Sequence, residues 1–433
     1  MTSLVVPPLS QVSAVLCLPL ILLVPFAGVG LALINTGLGR ARSAAHSMLS
    51  AICVTAVAAL VYVILGFAWQ GAGSSPDHVL IVAGKSWGWI ATEPFFLRGL
   101  RLDLSPTPLV VLLQLFSVGL AAIIPLSSGA DRWRLGAICA STALLAGCTY
   151  PLFAHWVWGG GWLAQLGVNC GLGRGFLDGG GSSTIQVVGG VTALSITWIL
   201  GPRRGKFSAD GMPAALPGHN AVLVLLGCML AWIGWMALNS AGAMLFLGTE
   251  PGRVVLIAVN TTLCAASSGL AAAVVTRIRF GRPDASLSAN GWIAGLVASS
   301  AAAAFLKPAA AMIVGGVAGI LVVWVADLFE FRFAIDDPGG AVSVHAVGGL
   351  WGVLAVALLA DAGPRGQWLA QLVGVATLLG FVLPLTYGLN WLLNRLYRQR
   401  VAREGERQGM DLFELGAGAY PEFDIHGDEF LQR

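Results

Sequence analysis

Two polar side chains inside apolar segments are the residues of this chain best placed to do chemistry. His345 lies in DPGGAVSVHAVGG, from Asp337 to Gly349, and Gln186 lies in DGGGSSTIQVVGG, from Asp178 to Gly190. Aligned without gaps at an offset of 159 residues, the two stretches share an Asp, two glycines and a closing Val-Gly-Gly, and Gln186 and His345 fall at the same position. Imidazole and carboxamide can each donate and accept a hydrogen bond without carrying charge. Polar groups inside a membrane span usually line a cavity or a pathway. The alternative is a neutral histidine tying two helices together, but a polar counterpart at the equivalent position favours the pathway. A small neutral polar molecule could pass such a pair without meeting a fixed charge.

The flanking residues have more structural readings. Asp178 precedes three glycines and Asp337 precedes Pro-Gly-Gly, so each can cap the backbone N–H groups of the helix that follows. Asp178, at the mouth of its segment, could also favour a nearby cation. In HWVWGGGW, from His155 to Trp162, an interfacial tryptophan is expected to be an anchor. Trp158 beside the glycine run could instead offer its face to a cation, an interaction worth about 1–2 kcal/mol when partly desolvated. No nucleophile–base constellation and no metal-ligand spacing is present, so neither an enzyme nor a cofactor or metal site is expected. The seven cysteines include no CxxC pair and read as small buried hydrophobes.

These residues need elements to hold them, and composition says what kind. Of 433 residues 57% are apolar and only 10% are charged, against roughly 25% charged in a soluble domain. The fold class is therefore an all-α integral membrane protein. A net charge of +3 gives no reason to expect a nucleic-acid partner. A spanning helix needs about 20 apolar residues. Eleven such runs occur, near 11–37, 44–68, 107–129, 135–157, 179–201, 219–243, 251–276, 287–306, 309–330, 341–360 and 368–394. The first lacks a basic segment before it and reads as a retained span, not a cleaved signal.

Seventeen of the 24 Lys and Arg residues, from Arg40 and Arg42 to the cluster after Arg395, fall on one side if the spans alternate. The positive-inside rule then puts the N-terminus outside and the C-terminus in the cytoplasm. Asp178 opens the fifth span from outside and Asp337 the tenth from inside. Equivalent segments crossing in opposite directions mark an inverted repeat, five spans plus five with one extra span, and put Gln186 and His345 near the midplane. Gly30/Asn35 and Gly234/Asn239 repeat a spacing in the first and sixth spans. The expected organisation is a membrane domain over 1–394 and a short charged cytoplasmic tail over 395–433. The outer loop from Gln70 to Pro106 is rich in aromatics but has no chemical motif.

The chain resembles the ammonium transporter (Amt/Mep/Rh) family over nearly its whole length. The likeness rests on Gly37-Leu38-Gly39-Arg40, AHWVWGGGWLA (154–164), Asp178 with its glycines, GHNAVLVLLGCMLAWIGW (218–235) and Asn239. It continues through Val259-Asn260-Thr261, IAGLVA (293–298), DDPGGAVSVHAVGG (336–349) and RQGMDLFELGAGAYPEF (407–423). The resemblance implies a trimer in the cytoplasmic membrane, each subunit with its own pore. Ammonium would collect at an outer vestibule, pass a phenylalanine gate and enter an apolar pore lined by two facing histidines. Trp158 matches the vestibule tryptophan, Asp178 the acidic residue beneath it, Trp235 a pore-lining tryptophan and His345 the second histidine. The tail resembles the segment that packs on a neighbouring subunit and receives the P-II signalling protein.

Several positions depart from the family pattern. Gln186 stands where the first histidine is expected, and Leu238 replaces one gate phenylalanine. Ser117 falls at the other gate position, unless a one-residue shift brings in Phe116. Gly242 replaces the vestibule serine, and Ser300-Ala301 stand where Thr-Pro is usual. Loss of the vestibule hydroxyl would weaken recruitment by about 1–3 kcal/mol if its bond is not replaced. The function these residues imply is ammonium or ammonia permeation. An ammonium-sensing, weakly conducting receptor and a channel for another small neutral molecule are the alternatives.

Overall fold

The computed structural model describes residues 9–72, 77–359 and 366–420. Arg365 and the end of the tail, including Arg433, lie outside the described residues. Ten of the described helices are long and apolar enough to cross a membrane. We label the long helices in chain order. The first half has α1 (Gln11–Leu38), α2 (Ala41–Gln70), α3 (Pro106–Ser128), α4 (Leu135–Val157) and α5 (Ser182–Leu200). The second half has α6 (Ala221–Leu247), α7 (Pro251–Phe280), α8 (Ala285–Ala302), α9 (Pro308–Arg332) and α10 (Val342–Leu359), and α11 (Gln367–Leu396) follows.

The helix that falls short is α8, the expected span near 287–306. It is 18 residues long, ASLSANGWIAGLVASSAA, and its serines, glycines and asparagine lower its hydropathy. It is buried over most of its length, so it needs little apolar surface toward lipid. Small residues of this kind let neighbouring backbones approach closely.

Local signals set the helix ends. Pro25 breaks α1 into Gln11–Leu23 and Pro25–Leu38, because a proline supplies no N–H to the preceding turn. Asn220 caps α6 by accepting from the Leu223 N–H at 3.0 Å, and Asp284 caps α8 by accepting from Leu287 at 2.8 Å. Gly248 ends α6 in the left-handed region at φ 65°.

The two halves repeat one packing scheme. Helix α1 packs on α6 and α5 packs on α10, so equivalent elements meet each other. Likewise α2 packs on α3 and α4, while α7 packs on α8 and α9. The α1–α6 crossing is close because Gly30 faces the Gly227 carbonyl, where a Cβ would come within 2.5 Å.

Outside the helices, the loop after α2 forms a hairpin of β1 (Asp77–Val82) and β2 (Lys85–Ala91). It is rooted by Trp89, whose carbonyl accepts from the Trp156 indole at 2.8 Å and whose ring packs on Trp156 and Phe381. The aromatics of this loop thus have a structural use.

Candidate functional site

The two repeated stretches fold alike. Each begins with a glycine in the left-handed region, Gly181 at φ 93° and Gly340 at φ 70°, a conformation few other residues tolerate. Each then runs through a π-helical turn, Ser182–Val187 and Val342–Val347, before the α-helix resumes. Such turns are uncommon in helices generally, but five others occur among the described residues, so it is their equivalent placement in the two repeats that matters. Gln186 and His345 sit within these turns.

The crossing of α5 and α10 brings the pair together. A Cβ on Gly190 would lie 2.3 Å from the Ala346 nitrogen, and one on Gly349 would lie 2.5 Å from the Ser182 carbonyl. With only hydrogens there, the segments close until His345 Nδ1 lies 2.8 Å from Gln186 Oε1. Gln186 is fully buried and His345 is 5% exposed. An amide oxygen only accepts, so in this orientation Nδ1 donates and a neutral ring keeps its lone pair on Nε2. The Gln186 amide nitrogen has no hydrogen-bond partner although it is buried.

The carboxylate of Asp178 is fully engaged with its own helix. It accepts from the N–H groups of Gly181, Ser182 and Ser183, each at 2.8 Å, and from Thr184 at 3.0 Å. The Ser183 and Thr184 hydroxyls also donate to it. It is 1% exposed. Of its two sequence readings, this geometry serves the cap, and both oxygens face the backbone. Asp337 behaves similarly, accepting from the Val342 N–H at 2.7 Å and the Ser128 hydroxyl at 2.6 Å.

Trp158 is not at a lipid surface. Its indole donates to the Asp178 carbonyl at 2.6 Å, and one face is covered by Phe246, parallel at 4.3 Å between ring centres. Phe246 gave no sequence signal, because its partner is far away in the chain and its spacing is that of any core aromatic. Trp235 and Leu238, one turn apart on α6, are buried. The Trp235 indole donates to the Ser300 hydroxyl at 3.0 Å, so the serine at this position has a defined partner. Asn239 donates to Thr261 and Ser299, and the Ser300 carbonyl accepts from Gly180 at 2.7 Å. Gly242 lies against Gly179, whose carbonyl would be 2.3 Å from a Cβ there. Ser117 is buried with its hydroxyl on the Leu113 carbonyl, while Phe116 lines a lateral apolar groove beside Val24, Gly28 and Ile52.

A second polar group, unmarked in sequence, lies at the other end of the helices. Arg203 reaches Asp336 through Nε at 2.9 Å and Nη2 at 3.0 Å, and Asp131 through Nη1 at 3.2 Å. Fully buried Arg132 donates to the carbonyls of Gly201 and Asp336. The tail docks beside this group on helices of its own chain. Arg400 donates to the Leu200 carbonyl at 2.7 Å, and Glu406 accepts from the Arg204 N–H at 2.7 Å. Asp411 accepts from the His46 N–H at 2.7 Å, and Glu414 pairs with the His46 ring at 2.9 Å.

Together the fold and the buried pair define a multi-pass helical membrane protein whose repeated halves bring two equivalent polar side chains into contact. The family model described as Ammonium Transporter Family matches residues 15–420, and this chain belongs to that family, whose members are transporters and not enzymes. It is 32% identical to a protein named Ammonium transporter Amt2 from Archaeoglobus fulgidus, covering 93% of this chain and 86% of that one. It is 30% identical to a protein named Ammonium transporter from Bacillus subtilis, covering 90% and 94%. Among solved structures, Sensor Amt Protein matches with a TM-score of 0.83 at 27% identity, over 93% of this chain and 97% of that one. Candida albicans Mep2 shares the fold with a TM-score of 0.80 at 24% identity, over 96% and 92%.

Proposed function

We propose that this chain moves ammonium, as the ion or as ammonia, across the cytoplasmic membrane through an apolar pore lined by Gln186 and His345. The observation that carries this reading is the buried 2.8 Å contact between two polar side chains at equivalent positions of the repeat. Polar side chains inside spans are costly and usually line a pathway, and a pair at repeat-equivalent positions favours that role over a bond that only ties two helices. Family membership and the names of the relatives supply the substrate.

On this reading Trp158 and Asp178 shape the outer mouth, Asp178 by holding the start of α5. Trp235 and Leu238 flank the way to the pair, and Gln186 replaces a histidine. The topology that fits is eleven spans, five plus five inverted and one extra, with the N-terminus outside, a membrane domain over 1–394 and a cytoplasmic tail over 395–433. A homotrimer and a P-II protein at the tail are the partners this reading includes. Pull-down of the host's P-II protein, with and without the residues after Arg395, tests the second.

Growth on limiting ammonium of a host stripped of its own ammonium transporters tests the reading. Restoration by the wild type and its loss with His345→Ala is the expected result. A receptor is the second reading, favoured by the similarity to Sensor Amt Protein. Absence of growth from a membrane-inserted wild type that still binds methylammonium would select it.

A further inference from the structure

We infer that Gln186 makes the midplane pair a barrier to protons, so that this chain passes ammonia without net charge. The inference rests on the proposed pore lined by Gln186 and His345. Two titratable side chains in contact can hand a proton across, each accepting it in turn. A carboxamide neither gains nor loses a proton near neutrality. In the observed contact His345 Nδ1 donates to Gln186 Oε1 at 2.8 Å, and that proton has nowhere to go. Reversing the amide would reverse the polarity of the bond but would give it no second protonation state.

The carboxylates of the same two segments offer no detour. Asp178 is committed to four N–H groups and two hydroxyls, and Asp337 to Val342 and Ser128. The remaining hydrogen-bonding capacity of the pair also fits a neutral molecule. The buried Gln186 amide nitrogen is an unpartnered donor, and a neutral His345 ring keeps an acceptor on Nε2. Ammonia has a lone pair for the amide and N–H groups for the ring. Ammonium has no lone pair, and the amide hydrogens oppose its charge. The balance is then simple: ammonium leaves its proton on the outer side, ammonia crosses, and it takes up a proton from the inner solution. One nitrogen moves and no charge does.

Proteoliposomes holding the full chain, given an inward ammonium chloride gradient, separate the possibilities. Lumenal alkalinisation reports ammonia entry, and current on a solid-supported membrane reports charge. Wild type should alkalinise the lumen faster than empty liposomes while giving only their background current. Gln186→Glu, nearly the same shape but titratable, and Gln186→His should each raise the current about tenfold or more, a modest return for a restored proton-transfer group. Wild-type current of one charge per nitrogen would overturn the inference and leave the path intact. Wild-type alkalinisation with both variants silent in current would also overturn it, since Gln186 would not be what blocks charge. Wild type and His345→Ala both indistinguishable from empty liposomes would remove the path itself, and the inference with it.

Discussion

At the scale of single residues, the environment of each side chain decides what it can contribute. Asp178 is a structural carboxylate whose oxygens accept six hydrogen bonds from one helix start, four of them from backbone N–H groups. Hydrogen bonds to a charged acceptor contribute about 1.5–3 kcal/mol each, so Asp178→Asn should destabilise the protein by at least about 2 kcal/mol. A lower melting temperature in detergent is the check. Gly242 has no room for a side chain: a Cβ there would lie 2.3 Å from the Gly179 carbonyl. Gly242→Ser should therefore cost about 1–3 kcal/mol through overpacking, seen as a lower melting temperature together with no gain in methylammonium affinity. The equivalence of Gln186 and His345 was legible in the sequence, because the repeat is ungapped. The stacking of Phe246 on Trp158 was not, since it joins α6 to the end of α4 and leaves no periodic trace.

At the scale of elements, close crossing of α5 and α10 positions the pair. Gly190→Leu would force these segments apart, since even a Cβ meets the Ala346 backbone at 2.3 Å. Uptake should fall to background while any folded fraction keeps its helical circular dichroism. Ten of the eleven expected runs are helices long and apolar enough to span, readable because length and hydropathy are local properties. Helix α8 reads weakly as a span, and for the same reason it packs well: its small polar residues serve helix contacts more than lipid contact. The hairpin of β1 and β2 was missed because its strands are held by aromatic packing on α4 and α11, a relation between distant parts of the chain. The tail was expected to be a charged extension. Instead Glu406 and Asp411 are buried against backbone N–H groups at the ends of α2 and α5, which charge patterning alone does not reveal.

At the scale of the whole molecule, the buried ions join the halves. Arg203 follows α5, and Asp336 precedes the α10 segment that bears His345, so their bond links the two repeats. Burial alone would raise the Asp336 carboxyl, but hydrogen bonds from Arg203 and the charges of Arg132 and Arg203 outweigh it and hold it below its ordinary value. For a carboxyl lowered in the folded state, the stabilisation is complete above the unfolded pKa of about 3.9. It is lost as pH falls through the folded value, so this link persists throughout the neutral range and fails only in strong acid. Asp336→Asn should cost about 3–5 kcal/mol by leaving a buried guanidinium underpaired. Melting at neutral pH checks it, and a cost that vanishes in strong acid would agree with the sign.

The account depends most on passage through a pore that Gln186 and His345 line. The most direct measurement is the initial rate of labelled methylammonium uptake by proteoliposomes carrying equal amounts of folded wild type or His345→Ala. The account predicts uptake well above empty liposomes for the wild type and a rate close to that of empty liposomes for the variant. Equal rates for both proteins, above background, would contradict it by showing a route that does not pass the pair.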